Sequence, residues 1–97
     1  MRLIKIKTLK QFWDKHTDSQ VALNSWANIV KRKQWDSFND IKKTFGSADV
    51  IAGNRCVFNI KGNKYRLVVK VHYNTKIMYI RFIGTHSEYD RIDVEKI

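Results

Sequence analysis

The hydrophobic pattern of the chain changes period once, near Asp49, and that change constrains the fold more than any single motif. Before it, apolar side chains recur at helical spacing: Leu9, Phe12 and His16 with Trp13 beside them, then Ala22, Trp26, Ile29 and Val30, then Phe38, Ile41 and Phe45. From Asp49 onward they alternate, in segments Asp49 to Ile51, Arg55 to Ile60, Lys64 to His72 and Ile77 to Thr85. Gly62-Asn63 and the run Tyr73-Asn74-Thr75-Lys76 supply turns, so the longer segments read as an antiparallel meander. At 97 residues there is room for one core only. The prediction is a single α+β domain over residues 1–97, with N-terminal helices packed on one face of a twisted, mainly antiparallel β-sheet.

Leu3, Ile4 and Ile6 among Arg2, Lys5 and Lys7 read as a short first strand. Thr8 with Gln11, and Thr17 with Gln20, match the capping-box spacing that starts helices. The second box opens a longer helix reaching Lys33, whose closing run of Lys31, Arg32 and Lys33 suits the negative end of the helix dipole. A third helix is predicted from Ser37 to Phe45, ended by Gly46.

Alternation sorts the strand residues into two faces. Cys56, Phe58 and Ile60, then Tyr65, Leu67, Val69 and Val71, then Met78, Ile80 and Phe82 form the face expected to pack on the helices. The opposite face gathers Arg55, Val57, Asn59, Arg66, Val68, Lys70, His72, Ile77, Tyr79, Arg81 and Ile83, and no helix is left over to cover all of it. A surface of cations among apolar residues is solvated, a nucleic-acid platform or a protein interface.

Charge narrows that choice. Nineteen Lys and Arg against nine Asp and Glu give +10, a field that draws polyanions from a distance and exceeds what solubility asks for. Cys56 has no partner for an internal disulfide and reads as a buried, small apolar residue. The opening Met-Arg-Leu-Ile-Lys-Ile-Lys lacks the unbroken apolar stretch of a signal peptide, and no run is long enough to span a bilayer, so the expected location is the cytoplasm. His16, His72, His86 and Cys56 lie far apart without the spacing of metal ligands, and Gly62 and Gly84 stand alone rather than in a phosphate loop. Neither a metal nor a cofactor is expected.

RNA can be cut without a metal if three services are supplied: removal of the ribose 2′-OH proton, stabilisation of charge on the phosphorane, and protonation of the leaving 5′-oxygen. Histidine suits the proton transfers because its charge changes near neutrality. Arginine suits the phosphate because its fork of donors matches two oxygens and it stays charged. Arg66 and Arg81 fall on adjacent strands and the same face, where two guanidinium groups can converge on one phosphate or simply be exposed sheet arginines. His86 follows the last strand, as a proton carrier or as a structural histidine bonded to backbone. Tyr89 can serve a base or the 2′-OH, or bury its ring against the core. Lys61, Lys64 and Lys70 lie close enough to Arg66 to track RNA phosphates, although Lys61 and Lys64 equally solvate a turn.

The run Val57-Phe58-Asn59-Ile60-Lys61-Gly62-Asn63-Lys64-Tyr65-Arg66-Leu67, joined to Ile83-Gly84-Thr85-His86-Ser87-Glu88-Tyr89-Asp90, resembles the HigB family of bacterial type II toxins. Trp26, Trp35, Ile41-Lys42-Lys43-Thr44-Phe45 and Ser47-Ala48-Asp49 extend the likeness over nearly the whole chain. The Gly-Thr-His-x-Glu-Tyr-Asp ending is its specific part. The resemblance implies a RelE-like fold and an endoribonuclease that cuts messenger RNA, typically on the ribosome. It also implies inhibition by a HigA-type antitoxin with a helix-turn-helix domain, which meets operator DNA as a complex. Carried over, Arg66 and Arg81 would handle phosphate and transition-state charge, with His86 and Tyr89 near the reacting hydroxyls. Two other functions fit the same surface: a non-catalytic RNA- or ribosome-binding translation inhibitor, and a gyrase-directed effector like those of the related ParE branch.

Overall fold

Alternation in the second half of the chain produces the sheet, and the helical stripes of the first half cover one side of it. The computed structural model describes residues 1–97. Its elements run β1 (Arg2–Ile4), α1 (Lys7–Lys15), a 3₁₀ turn (Thr17–Ser19), α2 (Gln20–Arg32), α3 (Phe38–Thr44), β2 (Asp49–Ile51), β3 (Arg55–Ile60), β4 (Tyr65–His72), β5 (Ile77–Thr85) and α4 (His86–Arg91). The five strands form one sheet in the order β1-β5-β4-β3-β2. Only the β1–β5 pairing is parallel; the others are the antiparallel ladders expected from the turns.

Leu9, Leu23, Trp26, Val30 and Ile41 from the helices meet Cys56, Phe58, Leu67, Val69, Val71, Met78 and Ile80 from the sheet in one cluster. Burying a side chain the size of Phe58 or Leu67 contributes about 1.5–3 kcal/mol. A one-residue slip would expose the whole set, so the register is strongly fixed. Cys56 is buried as expected, and burial pushes its thiol up to about 11.

Three expectations are corrected. First, neither predicted capping box forms. α1 begins at Lys7, which leaves Thr8 inside the helix, and a 3₁₀ turn occupies Thr17–Ser19, where Ser19 Oγ donates back to the His16 carbonyl at 2.6 Å. Second, a β-bulge interrupts the β4–β5 ladder: Val68 pairs with Phe82 and Val69 with Ile80, so Arg81 is the extra residue. The bulge exchanges faces beyond it. Phe82 moves to the outer face opposite Val68, and Ile83 turns to the core beside Leu67. Third, a helix is left over for part of the outer face. α4 folds back over β5 and β4, and Arg55, on the same face, donates from Nε to the Ile97 carbonyl at 2.7 Å. Val57 and Val68 are buried on the side away from the helical core.

Candidate active site

The β3–β4 hairpin and the start of α4 build the site from opposite sides. In the turn, Lys61 and Gly62 both adopt positive φ, 54° and 65°, the left-handed geometry that closes a tight hairpin and that glycine adopts without strain. Asn63 follows it, and Arg66 then lies opposite Gly84 across the β4–β5 ladder. A Cβ at Gly84 would fall 2.6 Å from the Phe82 ring and 3.1 Å from the Glu88 carboxylate. The absent side chain lets α4 fold back tightly. Thr85 starts that helix with a complete capping box: its Oγ1 accepts the Glu88 N–H at 3.2 Å, and Glu88 Oε1 accepts the Thr85 N–H at 2.8 Å. The same contact, chiefly the bond from the Thr85 backbone, holds the Glu88 carboxyl below its ordinary range.

His86 is therefore delivered to the outer face at a defined angle. Its Nε2 lies 3.3 Å from Arg66 Nε and 3.0 Å from Asn63 Oδ1. One ring nitrogen cannot accept from the guanidinium and donate to the amide oxygen at once. Unprotonated, Nε2 accepts the Arg66 N–H; protonated, it donates to Asn63. Nε2 therefore has a partner within reach both with and without its proton. The Arg66 guanidinium also lies over the Tyr89 ring, 4.8 Å from its centroid, and Tyr89 in turn meets Phe82 at 6.4 Å. With Nε engaged, the two terminal nitrogens of Arg66 make no hydrogen bond within the protein.

Arg66, His86 and Tyr89 thus converge, while the other predicted residues do not join them. Arg81 is exposed on the bulge and makes no hydrogen bond or ion pair. Lys70 is half-buried on the same face as Arg66, four residues along β4, roughly 13 Å away at about 3.3 Å per residue. Lys61 and Lys64 turn toward the helical layer and pair with Asp18 in the 3₁₀ turn. Asn63 is the site residue that sequence reading missed. It was legible only as a turn former, because its partner lies 23 positions away.

Asp18 also accepts the Tyr65 hydroxyl at 2.6 Å. The Lys64 hydrogen bond, then the Tyr65 one, hold its carboxyl well below the usual carboxylate range. A depressed carboxylate contributes stability above its unfolded pKa of about 3.9, and that contribution is lost as pH falls. Wild type should therefore lose more melting temperature on acidification below about pH 4 than Asp18→Asn, which has no proton to gain. Parallel acid melting curves for the two proteins would contradict this.

A cleft of about 640 Å³ lies between α1 and the β5–α4 junction, lined by Gln11, Phe12, His16, Ile83 and Glu88 among others. It does not include Arg66 or His86. The candidate cluster instead faces outward from the sheet, a setting that suits an extended polymer better than an enclosed small molecule. No three His, Cys, Asp or Glu side chains converge anywhere, and no helix is long and apolar enough to cross a membrane.

Residues 19–92 match the family model for HigB_toxin, the RelE-like toxic component of a toxin-antitoxin system. The chain belongs to the HigB toxin family. It is 32% identical over 92 residues to the mRNA interferase toxin HigB of Escherichia coli strain K12, an alignment covering 93% of this chain and 88% of that one. The mRNA interferase HigB of Shigella flexneri gives the same figures. A more distant mRNA interferase HigB from Escherichia coli O6:H1 is 20% identical over 94 residues, covering 95% of this chain and 91% of its own. As a HigB toxin, the protein has an antitoxin as its counterpart.

The family match takes in the hairpin, β5 and α4, and so every member of the cluster, but begins one residue after Asp18. In this HigB toxin α4 has only six residues, too few to persist without tertiary support and a good cap. Thr85→Ala should cost about 1 kcal/mol of stability. Because α4 carries His86 and Tyr89, RNA cleavage should also fall, by less than on losing His86 itself. Thr85→Ser should restore both, as read by thermal melting beside a cleavage assay. Retained activity in Thr85→Ala would show that the cap does not place His86.

Proposed function

We propose that the protein is an mRNA interferase, the toxin of a type II toxin-antitoxin module, cleaving messenger RNA by attack of a ribose 2′-OH on the adjacent phosphate. The reading is supported most by the placing of His86 Nε2 between a donor, Arg66, and an acceptor, Asn63, together with relatives named as mRNA interferases.

In the free protein the unprotonated Nε2 is occupied by the Arg66 N–H. An RNA phosphate offers Arg66 a better acceptor, charged and matched to its fork. Reorientation of the guanidinium toward phosphate frees the Nε2 lone pair, which takes the 2′-OH proton. The imidazolium so formed donates to Asn63 Oδ1, which holds it while negative charge builds on the phosphorane beside Arg66. Tyr89 supports the guanidinium from below and stands near the reacting hydroxyls, while Arg81 supplies further positive charge as the strand settles on the outer face. Lys70, and Lys61 and Lys64 at the hairpin, contact the flanking backbone. The imidazolium then returns its proton to the departing 5′-oxygen, leaving a 5′-hydroxyl and a 2′,3′-cyclic phosphate, which water can open to a 3′-phosphate. The need for a 2′-OH restricts the chemistry to RNA, and neither a metal nor a cofactor is required by the scheme.

The proposed setting is the cytoplasm, with mRNA engaged on the ribosome. The proposed inhibitor is a HigA-type antitoxin with a helix-turn-helix domain, through which alone the complex meets operator DNA. Primer extension on a defined mRNA, with and without translating ribosomes and with EDTA in a ribosome-free arm, tests the function. Cuts only with ribosomes are the expected result; cuts in free RNA with EDTA would show a self-sufficient nuclease. No cuts in any arm, with folded protein, would support a non-catalytic RNA- or ribosome-binding inhibitor instead.

A further inference from the structure

We propose that Asp18 is a built-in competitor for RNA phosphate: it holds Lys61 and Lys64 in the free protein, yields them to the bound strand, and meanwhile positions the hairpin through Tyr65. The inference rests on the RNA-cleavage reading above. The two oxygens of this carboxylate have separate tasks. Oδ2 takes both lysines, Lys61 at 3.5 Å and Lys64 in closer contact. Oδ1 takes the Tyr65 hydroxyl at 2.6 Å.

The two tasks differ in permanence. The lysine side chains are 47% and 58% exposed, and exposed ion pairs of this kind contribute little, so an RNA phosphate can displace the carboxylate at little cost. The Tyr65 ring is only 2% exposed, fixed edge-on against Phe12 at 5.2 Å, and its hydroxyl has no comparable exchange available. Lys64 follows Asn63 and Tyr65 precedes Arg66, so Asp18 grips the two residues lying between both of the hairpin's contributions to His86. Asp18 is accordingly a positioning residue whose charge opposes binding while its hydrogen bond favours reaction. No other part of the molecule couples the helical layer to the hairpin tip with a charge of the sign opposite to the protein's +10.

Asp18→Asn separates the two tasks, since the amide oxygen still accepts from Tyr65 while the charge is gone; Asp18→Ala removes both. The probe is a single-stranded oligoribonucleotide, 2′-O-methylated throughout so that it cannot be cut, titrated against each protein over a range of salt. In the wild-type complex the Asp18 carboxylate stays beside the strand and offsets about one of the two lysine charges, so Asp18→Asn should bind more tightly with a slope of log K against log salt steeper by about 0.7, its advantage shrinking about twofold between about 50 and about 150 mM salt. On a Lys61→Gln, Lys64→Gln background the substitution should have no such effect. In single-turnover cleavage of mRNA on translating ribosomes, Asp18→Ala should lose more rate than Asp18→Asn, a difference that loss of charge alone would not produce. Equal or weaker binding by folded Asp18→Asn with an unchanged salt slope would overturn the proposal, as would absence of binding by both proteins. If wild type binds the probe but never cuts mRNA, with or without translating ribosomes, the cleavage reading fails, whereas the salt slopes still decide whether Asp18 competes for the lysines.

Discussion

Arg66→Ala is expected to slow RNA cleavage by roughly 10²–10³-fold, the scale for removing one preorganised group that stabilises developing charge. The size follows from how the side chain is held. Arg66 is half-buried, its Nε lies against His86 and its face against Tyr89, yet its two terminal nitrogens have no protein partner. Little reorganisation separates that posture from one facing a phosphate. Lysine should rescue poorly, because a single ammonium cannot grip two oxygens or stack on Tyr89 as a planar fork does. The loss belongs in the single-turnover rate more than in binding, since many cations remain to hold the strand. Arg66 lies outside the buried core cluster, so the melting temperature should change little. A variant that cuts at the wild-type rate while folded would remove Arg66 from the site.

The second large effect is at His86. His86→Ala should cost about 10²–10⁴ in rate, as expected for a general acid or base. His86→Gln is the sharper substitution. Its amide can still meet Arg66 and Asn63, but it cannot accept a proton and hold it. If His86 works by proton transfer, the glutamine variant should be nearly as slow as the alanine one, and the limb of the pH–rate profile that His86 supplies should vanish in both. If glutamine preserves most of the rate, His86 merely props Arg66 and the proton moves elsewhere. Asn63→Ala provides a milder companion test, because it removes the acceptor of the protonated state and leaves the imidazole in place.

Much of the architecture could be read from local pattern because local pattern causes it. The four later strands fall within a residue of their expected limits, and the inward set from Cys56 to Ile80 packs on the helices as alternation requires. What escaped reading depends on non-local or unmarked events. The bulge at Arg81 carries no glycine or proline to announce it, so plain alternation puts Phe82 and Ile83 on each other's faces. Helix α4 did have a local signal, Thr85-x-x-Glu88, the same spacing sought at Thr8 and Thr17; there the chain takes other geometry, and here it forms the box. Without α4 the outer face reads as bare, whereas in the structure the helix packs on β5 and β4.

The candidate site divides in the same way. Arg66, His86 and Tyr89 were legible as residue types suited to phosphate and proton chemistry, and they converge. Arg81 shares the face without joining the cluster. The pairing of Lys61 and Lys64 with Asp18 spans more than forty positions, a separation across which spacing says nothing about contact. Asn63 was hidden by having a sufficient local explanation as a turn residue.

The most direct test of the central claim is the chemistry of the new RNA ends. An mRNA cut by wild-type protein on the ribosome should carry a 5′-hydroxyl on one fragment and a 2′,3′-cyclic or 3′-phosphate on the other. A single 2′-deoxy substitution at the cut position should abolish that cut alone. Ends bearing a 5′-phosphate and a 3′-hydroxyl, or undiminished cutting at the deoxy position, would mean that water rather than the ribose attacks the phosphate, and the roles assigned to His86 and Arg66 would fall with it.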